Sequence, residues 1–385
     1  ILAGANTYTG TTSVSAGAVN IQNATALGTV ASGTTVSAGA ALQIQNNITV
    51  GAEALSLSGE GVTGAVIPLF GTGSSATGAL RSISGNNTFG GAITLGSASR
   101  INSDTAANTL TLTGGITGTN FNLSMGGLGN TTISTNGIAT GTGSLIKDNL
   151  GTVTLAAANS YTGTTTVLGG TLAIARQTAL YNGTVVSWTA ANINVKAGAT
   201  LALNVDTLGT NGFTEANLNT LLSNISVAAS STAGLHSGSL IGIDTTSAGG
   251  SFTPTAVIGN STGAFGGSIG LTKLGTGSLV LDLANTYTGI TSVSAGTLQL
   301  GSGGTTGSLD INSPITVASG ATFAINQTDT VTQGTDFSGA PITGAGGFTQ
   351  AGSGTTILNA ANTFTGTTLV SDGVLQLNNA LALQH

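Results

Sequence analysis

Twelve carboxylates, six basic side chains and two histidines are all that this 385-residue chain offers for acid–base or metal chemistry. β-Structures that cleave polysaccharides use paired carboxylates, or an Asp/Arg/Lys cluster on one face. Here the acids are spread out as Glu53, Glu60, Asp104, Asp148, Asp206, Glu215, Asp244, Asp282, Asp310, Asp329, Asp336 and Asp372. Glu53 and Glu60 lie close in sequence beside Gly59 and Gly61, where one groove could take both carboxylates, but solvated turn residues are the reading the sequence favours. His236 and His385 stand far apart, and without cysteine they make no zinc set. His236 reads as an exposed loop residue. No Gly-x-Ser-x-Gly elbow has matching His and Asp partners. Gly-x-Gly-x-x-Gly-like strings follow from 62 glycines and open no helix. The sequence therefore assigns no catalytic, cofactor-binding or metal-binding residue, and a glycan-cleaving enzyme is the minor alternative.

The elements that would hold such residues carry almost no charge. Charged residues are 5% of the chain, against about 25% in ordinary soluble domains. The net charge is −6, and Arg81, Arg100, Lys147, Arg176, Lys196 and Lys273 form no basic stripe, which argues against nucleic acid as a partner. No apolar run approaches the roughly 18 residues of a membrane helix. Four per cent aromatic residues cannot supply the two girdles of a membrane barrel. No membrane insertion of this segment is expected. Ile1–Gly4 lacks the basic and apolar regions of a signal peptide and reads as the start of a mature or excised segment. Apolar residues reach 39% and alternate with Thr, Ser and Asn, so a packed β-structure is feasible.

One motif returns four times: Ala-Asn-Thr-Tyr-Thr-Gly at Ala5–Gly10, with close copies at Ala158–Gly163, Ala284–Gly289 and Ala361–Gly366. A weaker relative is Gly85–Gly90. Each full copy leads into Val-x-x-Gly-x-Φ-x-Φ, where Φ is apolar. The recurring structural positions are thus Asn6, Tyr8, Gly10 and Gly17; Asn159, Tyr161, Gly163 and Gly170; Asn285, Tyr287, Gly289 and Gly296; and Asn362, Phe364, Gly366 and Gly373. The corner glycines permit a positive φ. The tyrosines could serve as sugar platforms, but corner packing against the next coil is the preferred reading. Lys147 and Lys273 occupy equivalent places and read as outer-surface cations or as partners of Asp148 and Asp282. Trp188 reads as half-buried on a strand.

A second strand unit, with one more residue after the glycine, follows at Val36, Val195 and Val317. The intervals Val14–Val36, Val167–Val195 and Val293–Val317 are 22, 28 and 24 residues, a period that suits one coil of a parallel β-helix. Thr214 as N-cap with Leu218, Leu221, Leu222 and Ile225 predicts a short helix near 213–225, within an irregular excursion over 205–265. We expect a single continuous β-solenoid over 1–385. Ile1–Leu27 aligns with Ile357–Leu383, and neither end reads as capped, which fits a segment of a longer repetitive protein or ends that stack on neighbouring copies.

A third unit precedes the Asn-Thr-Tyr motif, as Gly143–Lys147 with Gly151–Leu155 and as Gly270–Lys273 with Gly275–Leu281; Gly346–Gln350 with Gly354–Leu358 is a degenerate copy. Together these units resemble the autotransporter-associated β-strand repeat of bacterial surface proteins, over roughly half the chain. The resemblance implies an all-β, elongated, right-handed parallel β-helix, exported to the cell surface or beyond it and often adhesive. The functional expectation is a non-enzymatic stalk or passenger region of an adhesin, with a head-to-tail filament subunit as the alternative. Expected partners are further copies of the chain, end to end or laterally, or host and biofilm glycans and surfaces.

Overall fold

In a computed structural model, which describes residues 1–62 and 77–383, the chain is a parallel β-solenoid with one short α-helix. It divides into two compact units, Ile1–Leu201 and Ala202–His385. His385 itself lies outside the described residues.

In the first unit, one sheet stacks Thr12–Val14, Thr34–Val36, Leu55–Gly59 and Ile93–Ser103, all parallel. It continues through Leu123–Gly126, Leu145–Lys147, Thr165–Val167 and Ile193–Val195. A second sheet stacks Thr49–Val50, Asn87–Phe89, Thr109–Leu112, Asn130–Ile133, Thr152–Leu155 and Thr171–Ile174. The period-two alternation decides which side chains face inward. Val14, Val36, Leu57 and Leu95 therefore form one buried column, each the Cα partner of the next.

The second unit repeats the scheme. Leu240–Asp244, Gly270–Leu274, Thr291–Val293 and Ile315–Val317 form one stack. Ser251–Phe252, Ser278–Leu281, Thr297–Leu300, Thr322–Ile325, Gly347–Gln350 and Thr368–Val370 form another. Gly347–Gln350 holds the repeat place of Gly270–Leu274 but stands in a different sheet. The extra chain that shifts it includes the strand Thr330–Thr332, which pairs with Thr355–Leu358. The helix runs Glu215–Ile225; Thr214 Oγ1 accepts from Asn217 N at 3.3 Å, and Leu218, Leu221 and Ile225 are buried.

The repeat glycines do two different jobs. Gly17, Gly170, Gly296 and Gly373 sit at φ of 61–66°, the left-handed corner that the sequence required. Gly163, Gly289 and Gly366 are not in that region. A Cβ on Gly289 would lie 2.3 Å from the carbonyl oxygen of Ile269 in the preceding coil. We expect Gly289→Ala to cost about 2 kcal/mol or more by overpacking; a urea melt indistinguishable from wild type would show that the coils can spread at this corner.

Candidate functional site

The repeated asparagine is a bridge between coils. Asn159 Oδ1 accepts from Ile138 N at 2.7 Å, and its Nδ2 donates to Ala179 O at 2.7 Å, so one amide joins three consecutive coils. Asn285 takes Ile258 N at 2.9 Å and donates to Ser308 O at 3.4 Å. Asn362 takes Ile342 N at 2.8 Å and donates to Ala382 O at 3.1 Å. Asn6 donates to Ala26 O at 2.7 Å. In the weaker copy, Asn87 Oδ1 accepts from Ile48 N at 3.0 Å.

The tyrosine two residues on is an internal strut. Tyr161 and Tyr287 are fully buried, and their hydroxyls lie 2.8 and 2.7 Å from the Oγ1 of Thr165 and Thr291. Thr165 continues to Tyr181 Oη at 2.9 Å, and Thr291 to Ser313 Oγ at 2.8 Å. Burial pushes the Tyr161 and Tyr287 phenols well above their ordinary range, and Tyr181 up to about 12. Tyr8 is 40% exposed, its hydroxyl 2.6 Å from Thr12 Oγ1. Phe364 is buried against Phe348, and the hydroxyl that would pair with a tyrosine there, Thr368 Oγ1, is buried without a partner among the described residues.

Lys147 and Lys273 correct the sequence reading: neither is on the surface. Lys147 lies in the inward column between Met125 and Val167, and Lys273 between Ile243 and Val293. Lys147 Nζ donates to the carbonyls of Asp148, Asn149 and Gly169 at 2.6, 2.9 and 3.0 Å. Lys273 Nζ donates to Leu274, Gly275 and Ala295 at 2.8, 2.8 and 3.0 Å. Each ammonium thus satisfies two carbonyls of its own turn and one of the next coil. Burial pushes both down to about 8, with Asp148 and Asp244 respectively acting against it. In the third copy Gln350 takes the place, donating to Gly352 O and Gly354 O at 2.7 and 3.3 Å.

The acids are less scattered than the sequence suggested. Arg100 grips Asp148 through two hydrogen bonds of 2.7 and 2.6 Å, with both groups buried. Arg100 also reaches Asn102 at 3.2 Å, and Asn102 donates to Asp104, which is paired with Arg81. Burial raises the Asp104 carboxyl, against the opposing pull of Asn102 and Arg81. Gly126 leaves the room for the Arg100–Asp148 pair, since a Cβ there would lie 1.9 Å from Asp148 Oδ1. Asp206 is held well below the usual carboxylate range by the Thr210 hydroxyl and the backbone N–H of Asn211. Glu53 is buried and accepts from Thr34 Oγ1 at 2.8 Å, so it is no solvated turn residue.

Asp282, Asp329 and Asp336 line one cleft of about 290 Å³ with Thr306, Ser308 and Gln327. Asp282 is engaged by Ser302 and Thr306, and Asp336 by Thr332 N. Among the described residues, no group of three or more His, Asp or Glu side chains is placed to hold a metal ion. Two further readings are corrected. His236 is buried, its ring 5.6 Å from that of Phe265, because the chain around it folds back over it. Trp188 is fully buried off any strand, at the end of a 3₁₀ turn, with Nε1 donating to Leu180 O at 3.2 Å.

Comparison with known proteins matches these coils. The profile of the Passenger-associated-transport-repeat fits residues 1–21, 145–174, 271–300 and 348–377. These stretches carry the four left-handed corner glycines Gly17, Gly170, Gly296 and Gly373, both buried lysines and their glutamine substitute. The chain is also similar to the adhesin BmaC autotransporter of Brucella suis biovar 1 (strain 1330), at 35% identity over 33% of this chain. The aligned part is only 4% of that adhesin's length. No solved structure matches the chain. The resemblance seen in the sequence, to repeats of autotransporter passengers, is borne out.

Two substitutions test the internal struts. Phe364→Tyr supplies the missing partner of Thr368 and should add about 1 kcal/mol to unfolding stability; a loss would mean that the hydroxyl does not fit where Tyr161 and Tyr287 hold theirs. Lys273→Met leaves three turn carbonyls without a donor and should cost about 1–3 kcal/mol. Lys273→Gln, copying Gln350, should cost less than half as much, and denaturant titration of the two variants separates loss of donors from loss of packing.

Proposed function

We propose that this chain is a load-carrying section of an exported bacterial surface adhesin, a β-solenoid passenger with a structural rather than catalytic role. The observation that carries this reading is the coincidence of the passenger repeat with the coil-to-coil asparagine bridges. What recurs in the sequence is what joins one coil to the next, as a structure selected for length requires. The similarity to an autotransporter adhesin supports placing it on or outside the bacterial cell. The low charge supports contacts with surfaces or glycans through hydroxyl and amide groups. Beads coated with the 385-residue chain should adhere to glycan-bearing cell surfaces more than beads coated with an unrelated β-protein. Equal adherence would remove the adhesin reading.

The second reading is a subunit of an extracellular filament, favoured by the register shared by Ile1–Leu27 and Ile357–Leu383. The two segments carry the same repeat pattern, so a coil of one copy has the pattern needed to stack on a coil of another. Electron micrographs of the purified chain decide between the readings. Continuous fibres support a filament, and separate particles of one size support the passenger section.

A further inference from the structure

The outward face of the second sheet in the unit Ile1–Leu201 carries an ordered array of hydroxyls. Thr49, Thr88, Thr111, Thr132 and Thr154 follow one another as Cα partners through five coils. Thr49 is exposed and the other four are half-buried beside their neighbours in the row. Their strand neighbours Val50, Phe89, Leu112, Ile133 and Leu155 point inward and are buried, which fixes the threonines on the outside. A second column two residues earlier runs through Asn86, Thr109, Asn130 and Thr152. Asn86 Oδ1 accepts from Thr109 N at 2.9 Å, and Asn130 Oδ1 from Thr152 N at 3.0 Å, so these amides are locked in place.

Among the described residues, the five hydroxyls of the first column make no hydrogen bond. Outward threonines elsewhere do satisfy one another, as Thr94 with Thr117 at 3.4 Å and Thr316 with Thr343 at 2.9 Å. The array is regular, with rungs about 4.8 Å apart and columns about 7 Å apart, from strand geometry. It is also stiff, because a β-branched side chain has few χ1 choices, so little freedom is lost when a ligand settles on it. No charged residue stands in either column.

A ligand that fits must be uncharged, extended and periodic, with a hydrogen-bonding group for each rung and an apolar patch for each threonine methyl. Extended β-linked sugars advance by a distance close to one rung and offer hydroxyls at the edge with C–H groups on the face. We propose that this Thr/Asn face binds a neutral β-linked polysaccharide laid along the stacking direction. The proposal rests on the adhesin reading and names the surface and the ligand class that would serve it. Each rung contributes weakly, and five in register act together.

The test is depletion of the 385-residue chain from solution by microcrystalline cellulose, an uncharged β-linked glucan. We expect retention that added salt does not weaken, since no charges are screened. Thr111→Val with Thr132→Val keeps the branched shape and the methyls while removing two adjacent hydroxyls, and should weaken retention by roughly tenfold. Thr94→Val with Thr117→Val, on the other sheet, should leave it unchanged, and thermal melts of both variants report folding independently of binding. Equal retention of the two double variants, or no retention of the wild-type chain, overturns the proposal. Chain-coated beads that adhere to cells without retention on the glucan would sink the ladder and leave the adhesin reading standing. Failure of both assays would remove both.

Discussion

The solenoid depends on how each corner satisfies the backbone polar groups that its sheets do not reach. Strands pair N–H and C=O groups along the faces, but at a corner the chain turns away and the ladder is interrupted. The buried asparagine closes that gap by acting in both directions. Its oxygen serves an N–H of the coil before and its nitrogen a C=O of the coil after, as Asn159 does with Ile138 and Ala179. No hydroxyl or apolar residue of that size carries both functions in a fixed plane. The asparagine recurs at these corners, and Asn87, in a copy that keeps little else of the motif, keeps the tie to the coil before while its nitrogen serves Ser84 and Gly85 of its own turn.

At another corner the chain solves the same problem with a lysine. Three carbonyls converge, and the ammonium supplies three donors on a stem that packs as an apolar residue would. Gln350 shows that the requirement is for donors and not for charge, because it fills the same place with an amide. Close corners also explain why glycine serves at Gly289 without a left-handed backbone: the carbonyl of the preceding coil occupies the space a side chain would need. Buried amide, buried ammonium and missing side chain are three answers to one constraint, that consecutive coils lie a single strand spacing apart.

Much of this was legible in the sequence. The paired Val-x-x-Gly strand units set the coil period, the alternation set the inward columns, and Thr214 with its leucines marked the helix. The inward lysines were legible too, since Leu145 and Lys147 have the same parity on their strand, as do Leu271 and Lys273. Charge outweighed parity in that reading. The Arg100–Asp148 pair was not legible, because 48 residues separate its members and only the stacking of coils brings them together. The change of sheet after Thr322–Ile325 was hidden for a related reason. A repeat shows that a coil recurs, but the length of chain between copies decides which face it lands on.

The placement of charge has a consequence for the exterior. Arg100, Lys147 and Lys273 are buried, so half of the six basic side chains act inside the fold. A buried cation costs desolvation unless its surroundings replace the lost water, and here the carboxylate of Asp148 and the turn carbonyls do so. What is left for much of the outer surface is hydroxyl, amide and methyl. Such a surface has little long-range attraction or repulsion, so contact must be made at close range, by shape and hydrogen bonding repeated from coil to coil. In the adhesin proposed above, length would then decide strength, each added coil giving another weak contact in register with the last, and the repetition that solves the corner problem inside the solenoid produces periodicity on its surface.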